Sequence, residues 1–201
     1  MKKIIILYPD VFKSYSKFSR KVLKILQNIQ DFSIVYPSDP NEYISKLFAE
    51  RFPEVILSEN ENWIEDEITH GIIFDDGEEY SQELKDLEGM LVNIRVIKIK
   101  ITRVINIKKE TQYKNVKSSP GYEYIGRGSY WGNPYSMYEE GESRDEVIRK
   151  YKYDFDFEKS PYKEKSRVYE LAGKRLGCFC KPQSCHGDVL ADFLNSWDDG
   201  K

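Results

Sequence analysis

Cysteine and histidine are scarce in this chain, at three and two residues among 201. Three cysteines, odd in number and packed together, do not make the disulfide framework of a small secreted protein. In a reducing compartment that pattern favours metal ligation or a reactive thiol. Long apolar runs are missing as well, and none approaches the ~20 residues that span a bilayer. Met1 to Leu7 has the basic beginning of a secretory signal, but Tyr8-Pro9-Asp10 ends its apolar run too early. That stretch is expected to be a buried first strand of a soluble, cytoplasmic protein with no membrane partner. Positive charge is not in excess. The formal net charge is -3, residues 1–103 carry 14 lysines and arginines against 18 aspartates and glutamates, and residues 104–201 carry 17 against 16. A global basic field of the kind that holds duplex nucleic acid is thereby excluded. Single-strand binding through Tyr and Trp stacking is disfavoured by the lack of a basic stripe.

What is present divides into two halves. In residues 1–103, strand-like runs at Lys3–Leu7, Ser33–Tyr36, Glu54–Leu57, Gly71–Phe74 and Arg95–Ile101 alternate with helical patterns. A helix at Ser16–Ile29 places Phe18, Val22, Leu26 and Ile29 on one face. Another is expected near Asp39-Pro40-Asn41-Glu42, with Asp at the cap, Pro at the first helical position and Glu at the third. A third spans Ser81–Leu91. Apolar strands alternating with helices predict an α/β fold, here a small doubly wound, Rossmann-like parallel sheet covered on both faces. Asp75, Asp76, Glu78 and Glu79 end a strand as an acidic cluster, either a solvated loop or an oxygen site for a hard cation.

The opening strand and turn, the Ala49-Glu50-Arg51-Phe52 helix end, the His70-to-Gly77 strand and turn and the closing Arg95-to-Ile99 strand together resemble the SLOG-type Rossmann-like superfamily. The resemblance implies a nucleotide or nucleotide-derived ligand. Where that superfamily has a glycine-rich loop after the second strand, this chain has Tyr36-Pro37-Ser38-Asp39, so the domain is a degenerate version.

Residues 104–201 are expected to form a smaller α+β domain with a Cys/His-rich loop. Tyr122 to Tyr135 interleaves Gly126, Gly128 and Gly132 with Arg127, Ser129, Trp131 and Asn133. Such a stretch suits a strand feeding a tight loop that presents groups to an anion or planar ligand. Arg127 offers a forked donor set, Asn133 can read an amide or base edge, and Trp131 or Tyr130 can stack on a ring. Packing of the loop around a buried Trp is the competing explanation. Ser143-Arg144-Asp145-Glu146 has the form of a capping box. Arg144 sits in the first turn, where a cation is mildly unfavourable against the helix dipole. A further helix is expected at about Lys163–Lys174, and Val189, Leu190, Phe193, Leu194 and Trp197 outline a last amphipathic one.

All three cysteines and His186 lie within nine consecutive residues, Cys178 to His186. The cluster admits three chemistries. Cys178, Cys180, Cys185 and His186 can form a Cys3His zinc set, or a three-ligand zinc site with an open position. Cys185, just ahead of a helix, can instead be a thiolate nucleophile beside His186 and Lys181. Small buried core cysteines are the third.

The ordered motifs Tyr-x-Ile-Gly-Arg, Ser-x-Trp-Gly-Asn-Pro, Ser-Arg-Asp-Glu, Leu-Gly-Cys-Phe-Cys-Lys-Pro and Cys-His-Gly-Asp-Val-Leu resemble domain-of-unknown-function family 4326, frequent in phages and bacteria. The resemblance implies functional positions at Arg127, Ser129, Asn133, Arg144, Cys178, Cys180, Cys185, His186 and Asp188, and, for a phage protein, the host cytoplasm. The functional expectation is binding, with hydrolysis or group transfer, of a nucleotide or nucleotide-derived small molecule. Arg127, Ser129, Trp131, Asn133 and Arg144 would hold it beside a Cys/His zinc site whose Cys185, His186 and Asp188 do the chemistry. The alternative is a zinc-stapled module that sequesters a nucleotide or binds a host protein without catalysis.

Overall fold

The computed structural model describes residues 1–137, 141–159 and 163–200. Its contacts divide them into two compact units, Met1–Ile99 joined by the segment that begins at Ser196, and Lys100–Asn195.

In the first unit β1 (Lys2–Leu7), β2 (Phe32–Tyr36), β3 (Leu57–Glu59), β4 (His70–Asp75) and β5 (Asn93–Lys98) form a wholly parallel sheet in the order β3-β2-β1-β4-β5. The helices α1 (Tyr15–Leu26), α2 (Tyr43–Arg51) and α3 (Ser81–Gly89) make the crossovers that parallel pairing demands. Alternation along the strands sorts the core. Ile5, Leu7, Val35 and Ile73 pack with Trp63 and with Leu87 of α3. Phe74, one residue beyond Ile73, points the other way and stacks on Phe18 of α1 at 5.1 Å. Both faces are therefore covered, and Ile4, Ile5 and Ile6 have no exposed surface.

Several elements start elsewhere than their patterns imply. The helix expected from Pro40 begins at Tyr43, because Glu42 takes a left-handed conformation at φ 57°. Asp39 still serves that helix, accepting from Ile44 N (3.0 Å) and Ser45 N (2.8 Å). The third strand, expected over Glu54–Leu57, begins only at Leu57, since Val55 N bonds Phe52 O in a turn. Trp197 is not on the last helix, which ends at Asn195. Asp198 and Asp199 instead pair with Arg20 (2.7 Å) and Lys17 (2.7 Å) of α1.

The second unit is built on β6 (Arg103–Asn106), β7 (Ser118–Ser119), β8 (Tyr122–Tyr124) and β9 (Arg175–Cys178), in the order β6-β9-β8-β7. Central β9 is parallel to both neighbours, and the β7–β8 pair is antiparallel. The helices α4 (Arg144–Asp156) and α5 (His186–Asn195) join it. The segment expected to be a helix at Lys163–Lys174 is a 3₁₀ helix over Lys165–Leu171. Tyr151 and Phe155 of α4, Leu190 and Leu194 of α5, and Leu176 of β9 form one core with Ile125, Trp131, Val168 and Leu171. A buried amide ties the end of α5 to the chain before β6. Asn195 Oδ1 accepts from Thr102 N (2.8 Å) while its Nδ2 donates to Thr102 O (3.1 Å). Among the described residues, no helix is long and apolar enough to cross a membrane.

Candidate functional site

The cysteine loop hangs between the end of central β9 and the start of α5, so both arms are anchored in the core. Cys178 closes the strand, Cys180 follows one exposed Phe later, and Cys185 precedes the helix. The Lys181–Pro182 peptide within the loop is cis. Cys178 and Cys185 are buried, Cys180 is half-buried, and all three are free thiols. Their sulfur atoms lie within 4.8 Å of one another, with Cys178 Sγ 3.5 Å from Cys180 Sγ. Tetrahedral zinc with Zn–S bonds of about 2.3 Å needs sulfurs about 3.8 Å apart, so the three thiols can hold a metal ion with little movement.

One thiolate is favoured even without an ion. The Cys185 thiol hydrogen-bonds Cys178 and, against the opposing cost of burial, holds the Cys178 thiol down to about 5, with the Cys180 amide and His186 helping. The same bond, and then burial, pushes Cys185 up. Burial, and then the Cys178 charge, raises Cys180, against a hydrogen bond from Arg144. The hydrogen bond between the buried Cys178 and Cys185 thiols thus favours a single thiolate within that pair.

The helix start explains Cys185, His186 and Asp188. Cys185 occupies the cap position, where Gly187 N donates to its sulfur (3.4 Å) and Asp188 N to its carbonyl (2.9 Å). Asp188 Oδ2 reaches back to accept from Cys185 N (2.8 Å), and its Oδ1 pairs with Lys181 (2.7 Å). This is the carboxylate half of a capping box. His186 Nε2 donates to Ile125 O (2.8 Å), which leaves Nδ1 as the lone-pair nitrogen, 3.7 Å from Cys185 Sγ. Burial lowers the imidazole pKa and favours this neutral form. The group that orients His186 is thus the Ile125 carbonyl, with Tyr151 edge-on to the ring at 5.0 Å, and Asp188 acts on the Cys185 backbone. Gly187 permits this close approach, because a Cβ there would lie 2.4 Å from Ile125 Cδ1. Asp188→Ala is expected to destabilise the unit by about 1 kcal/mol, the usual cost of a lost cap. Urea denaturation checks this, and an unchanged midpoint would remove Asp188 from a positioning role.

The glycine-rich loop is bolted down along its length. Tyr151 Oη donates to Trp131 O (3.0 Å), Lys163 Nζ to Gly132 O (2.7 Å) and Asn133 Nδ2 to Val147 O (3.1 Å), while Asn133 Oδ1 accepts from Tyr135 N (2.9 Å). Gly132 is required because a Cβ there would lie 2.7 Å from Gly126 O. Trp131 belongs to the core at 4% exposure, against the stacking role its sequence context implied. Ser129 Oγ is buried without a hydrogen-bond partner among the described residues.

These pieces enclose a cavity of about 340 Å³. Arg127, Asn133, Arg144, Cys178, Cys180, Cys185 and His186 all line it, together with Tyr135, Val147, Ile148 and Phe179. Ser129, Trp131 and Asp188 do not form its wall. Arg144 reaches across from the first turn of α4 to donate to Ser184 O (3.2 Å), beside Cys180. That span accounts for a cation at a helix start. Among the described residues the Arg127 guanidinium has no ion-pair partner. Val147 and Ile148 are legible in the sequence only as the apolar face of the helix that follows Ser143, and Phe179 carries no ligand-type chemistry of its own. The signal for Phe179 is its position between two cysteines.

The first unit has the geometry of a nucleotide-binding sheet, with its switch point between β1 and β4. Tyr8 Oη donates to Asp39 Oδ1 (2.5 Å), Tyr80 Oη donates to Tyr8 O (2.6 Å), and buried Asp75 pairs with Lys98. The acidic loop caps its own turn, Asp75 accepting from Gly77 N (2.8 Å) and Asp76 from Glu78 N (2.9 Å).

Comparison with known proteins agrees with this architecture. Residues 1–105 match the family described as Minimal SLOG domain. The chain belongs to that family. SLOG domains are generally nucleotide-related binding modules. Residues 105–196 of this SLOG protein match a Domain of unknown function (DUF4326). An uncharacterized 12.4 kDa protein of the nrdA-td intergenic region of Enterobacteria phage T4 is 42% identical over 72 residues, 35% of this chain and 65% of that protein. The chain thus spans 65% of the curated relative it matches. No solved structure matches it.

Proposed function

We propose that the second unit binds a nucleotide or nucleotide-derived small molecule in the 340 Å³ cavity and carries out hydrolysis or group transfer on it at a phosphate or glycosidic centre. The observation that carries this proposal is convergence. Two arginines from separate elements, Arg127 and Arg144, line the same wall as all three cysteines and His186. The guanidinium forks suit a phosphate, and Phe179, Val147 and Ile148 supply an apolar side for a base or sugar. Cys178, Cys180 and Cys185 would hold zinc, which supplies Lewis-acid polarisation when bound. His186, kept neutral with Nδ1 unprotonated, is the proton acceptor on this chain. Cys185 and Asp188 act by position, Cys185 as a ligand and Asp188 by fixing the Cys185 backbone. Asn133 shapes the wall through its bond to Val147 O.

A thermal-shift screen of nucleoside mono-, di- and triphosphates and dinucleotides tests binding. Saturation at about 100 times Kd stabilises by about 2.7 kcal/mol, or roughly 5–10 °C for a chain of this size. The shift is expected to disappear in Arg127→Ala and Arg144→Ala, and no shift from any of these ligands would defeat the proposal.

In one second reading His186, whose Nδ1 is 3.7 Å from Cys185 Sγ but which lies outside the three-sulfur cluster, moves in to close a Cys3His site, and the module binds without catalysis. His186→Ala separates the two. The catalytic site keeps about one zinc per chain and loses turnover, whereas the closed site loses its zinc.

A further inference from the structure

The charge balance of the whole second half conceals a local excess. Residues 103–117 carry five lysines and arginines against one glutamate. Folding gathers Lys108, Lys114 and Lys117 of this stretch along a groove of about 650 Å³, with Tyr113, Tyr124 and Phe179 in its wall. Among the described residues none of these three exposed lysines pairs with a carboxylate. The two nearby acids are engaged elsewhere. Glu110 bonds Gln112 (2.6 Å), and Glu123, on the opposite face of β8 from its tyrosine neighbours, bonds Ser118 (2.7 Å) and Lys174 (3.2 Å).

The aromatic rings are arranged as flat surfaces. Tyr113 stacks on buried Tyr122 with centroids 4.2 Å apart and planes 7° from parallel. Tyr122 therefore backs the half-buried Tyr113, and both line the groove. Tyr124 stands edge-on to Phe179 at 6.4 Å, Phe179 is 51% exposed, and Lys108 Nζ sits 5.8 Å from the Phe179 ring centre.

We propose that this groove is a binding site for single-stranded nucleic acid, its bases stacking on Tyr113 and Phe179 and its phosphates meeting Lys108, Lys114 and Lys117. Interleaved rings and lysines are the means by which single strands are held without sequence readout. A mononucleotide needs only one ring and one lysine. An acidic peptide has no use for stacked planes, and a duplex hides its base faces. The groove is separate from the cysteine cavity, sharing only Phe179 with it, and the proposal does not depend on catalysis there.

Fluorescence anisotropy on the full chain, with labelled oligouridylate and oligothymidylate of about 12 nucleotides, tests it. Binding of either supports the proposal, and a preference between them shows whether the 2′-hydroxyl is used. Three lysine–phosphate contacts predict a slope of log K against log salt of about -2. Lys108→Ala/Lys114→Ala/Lys117→Ala is expected to weaken binding at least about 10-fold at low salt and to bring the slope near zero. Tyr113→Ala is expected to weaken it about 5- to 150-fold while Tyr113→Phe retains it. Far-UV circular dichroism confirms that each variant is folded. Three outcomes would each overturn the proposal: no binding of either oligomer at about 50 mM salt, wild-type affinity in the triple-lysine variant, or competition by a duplex or polyglutamate equal to that of the single strand.

Discussion

Replacing Cys178 with serine is expected to reduce bound zinc from about one per chain to near zero and to unfold the second unit well below the melting temperature of the unchanged protein. Cys178 is 4% exposed and ends the central strand, so its sulfur belongs both to the core and to the three-thiol cluster that could hold a metal ion. A serine hydroxyl is a poor zinc ligand, and here it would also be a buried polar group. Structural zinc contributes about 10–16 kcal/mol in small peptides, comparable with the ~5–15 kcal/mol that stabilises a whole domain. Even a fraction of that loss shifts the melting temperature by more than about 10 °C. Metal analysis of protein purified without added metal, paired with calorimetry, reads both effects. Retention of one zinc by Cys178→Ser would refute ligation. A metal-free native protein whose Cys178 alkylates rapidly would transfer the assignment to a thiolate nucleophile.

Trp131→Ala should cost about 3–5 kcal/mol, the range for removing a large aromatic side chain from a packed core. The tryptophan packs with Ile125, Tyr151, Phe155 and Leu171, and its carbonyl receives the Tyr151 hydroxyl. Trp131→Phe fills most of the hole and is expected to recover much of the stability while leaving nucleotide affinity unchanged. Chemical denaturation and calorimetric titration of the two variants separate packing from stacking. A stable Trp131→Ala protein that had lost its ligand would reverse the assignment.

Much of the first unit was legible because its signals are local. The alternation of apolar strands with helical periodicity needs no tertiary information, and the family match to residues 1–105 agrees with it. Element ends were harder. The start of α2 turned on a left-handed Glu42, and β3 on a turn at Phe52–Val55, which residue type does not announce. Within the candidate site the cysteines stood out by clustering, but their acidity did not. Cys185 has the helix start that usually activates a thiol, yet the structure couples it by a hydrogen bond to buried Cys178 at the end of β9, so that the two sulfurs share one thiolate. Trp131 and Asn133 had the residue types of ligand contacts. Trp131 is taken into the core, where its carbonyl receives Tyr151, while Asn133, bonded to Val147 O, still lines the cavity.

By itself, then, the sequence determined the α/β class, the division of composition and motifs, and the concentration of chemistry between Cys178 and Asp188. Those properties follow from periodicity and spacing along one chain. Only the tertiary structure decided that Arg127 and Arg144 face the cysteines across one cavity, that His186 is oriented by Ile125 O, and that Lys108, Lys114 and Lys117 share a groove with Tyr113 and Phe179. Each is a meeting of residues distant in sequence. Such meetings are set by the packing of α4 and α5 with the sheet, and no local pattern of charge or hydropathy encodes them.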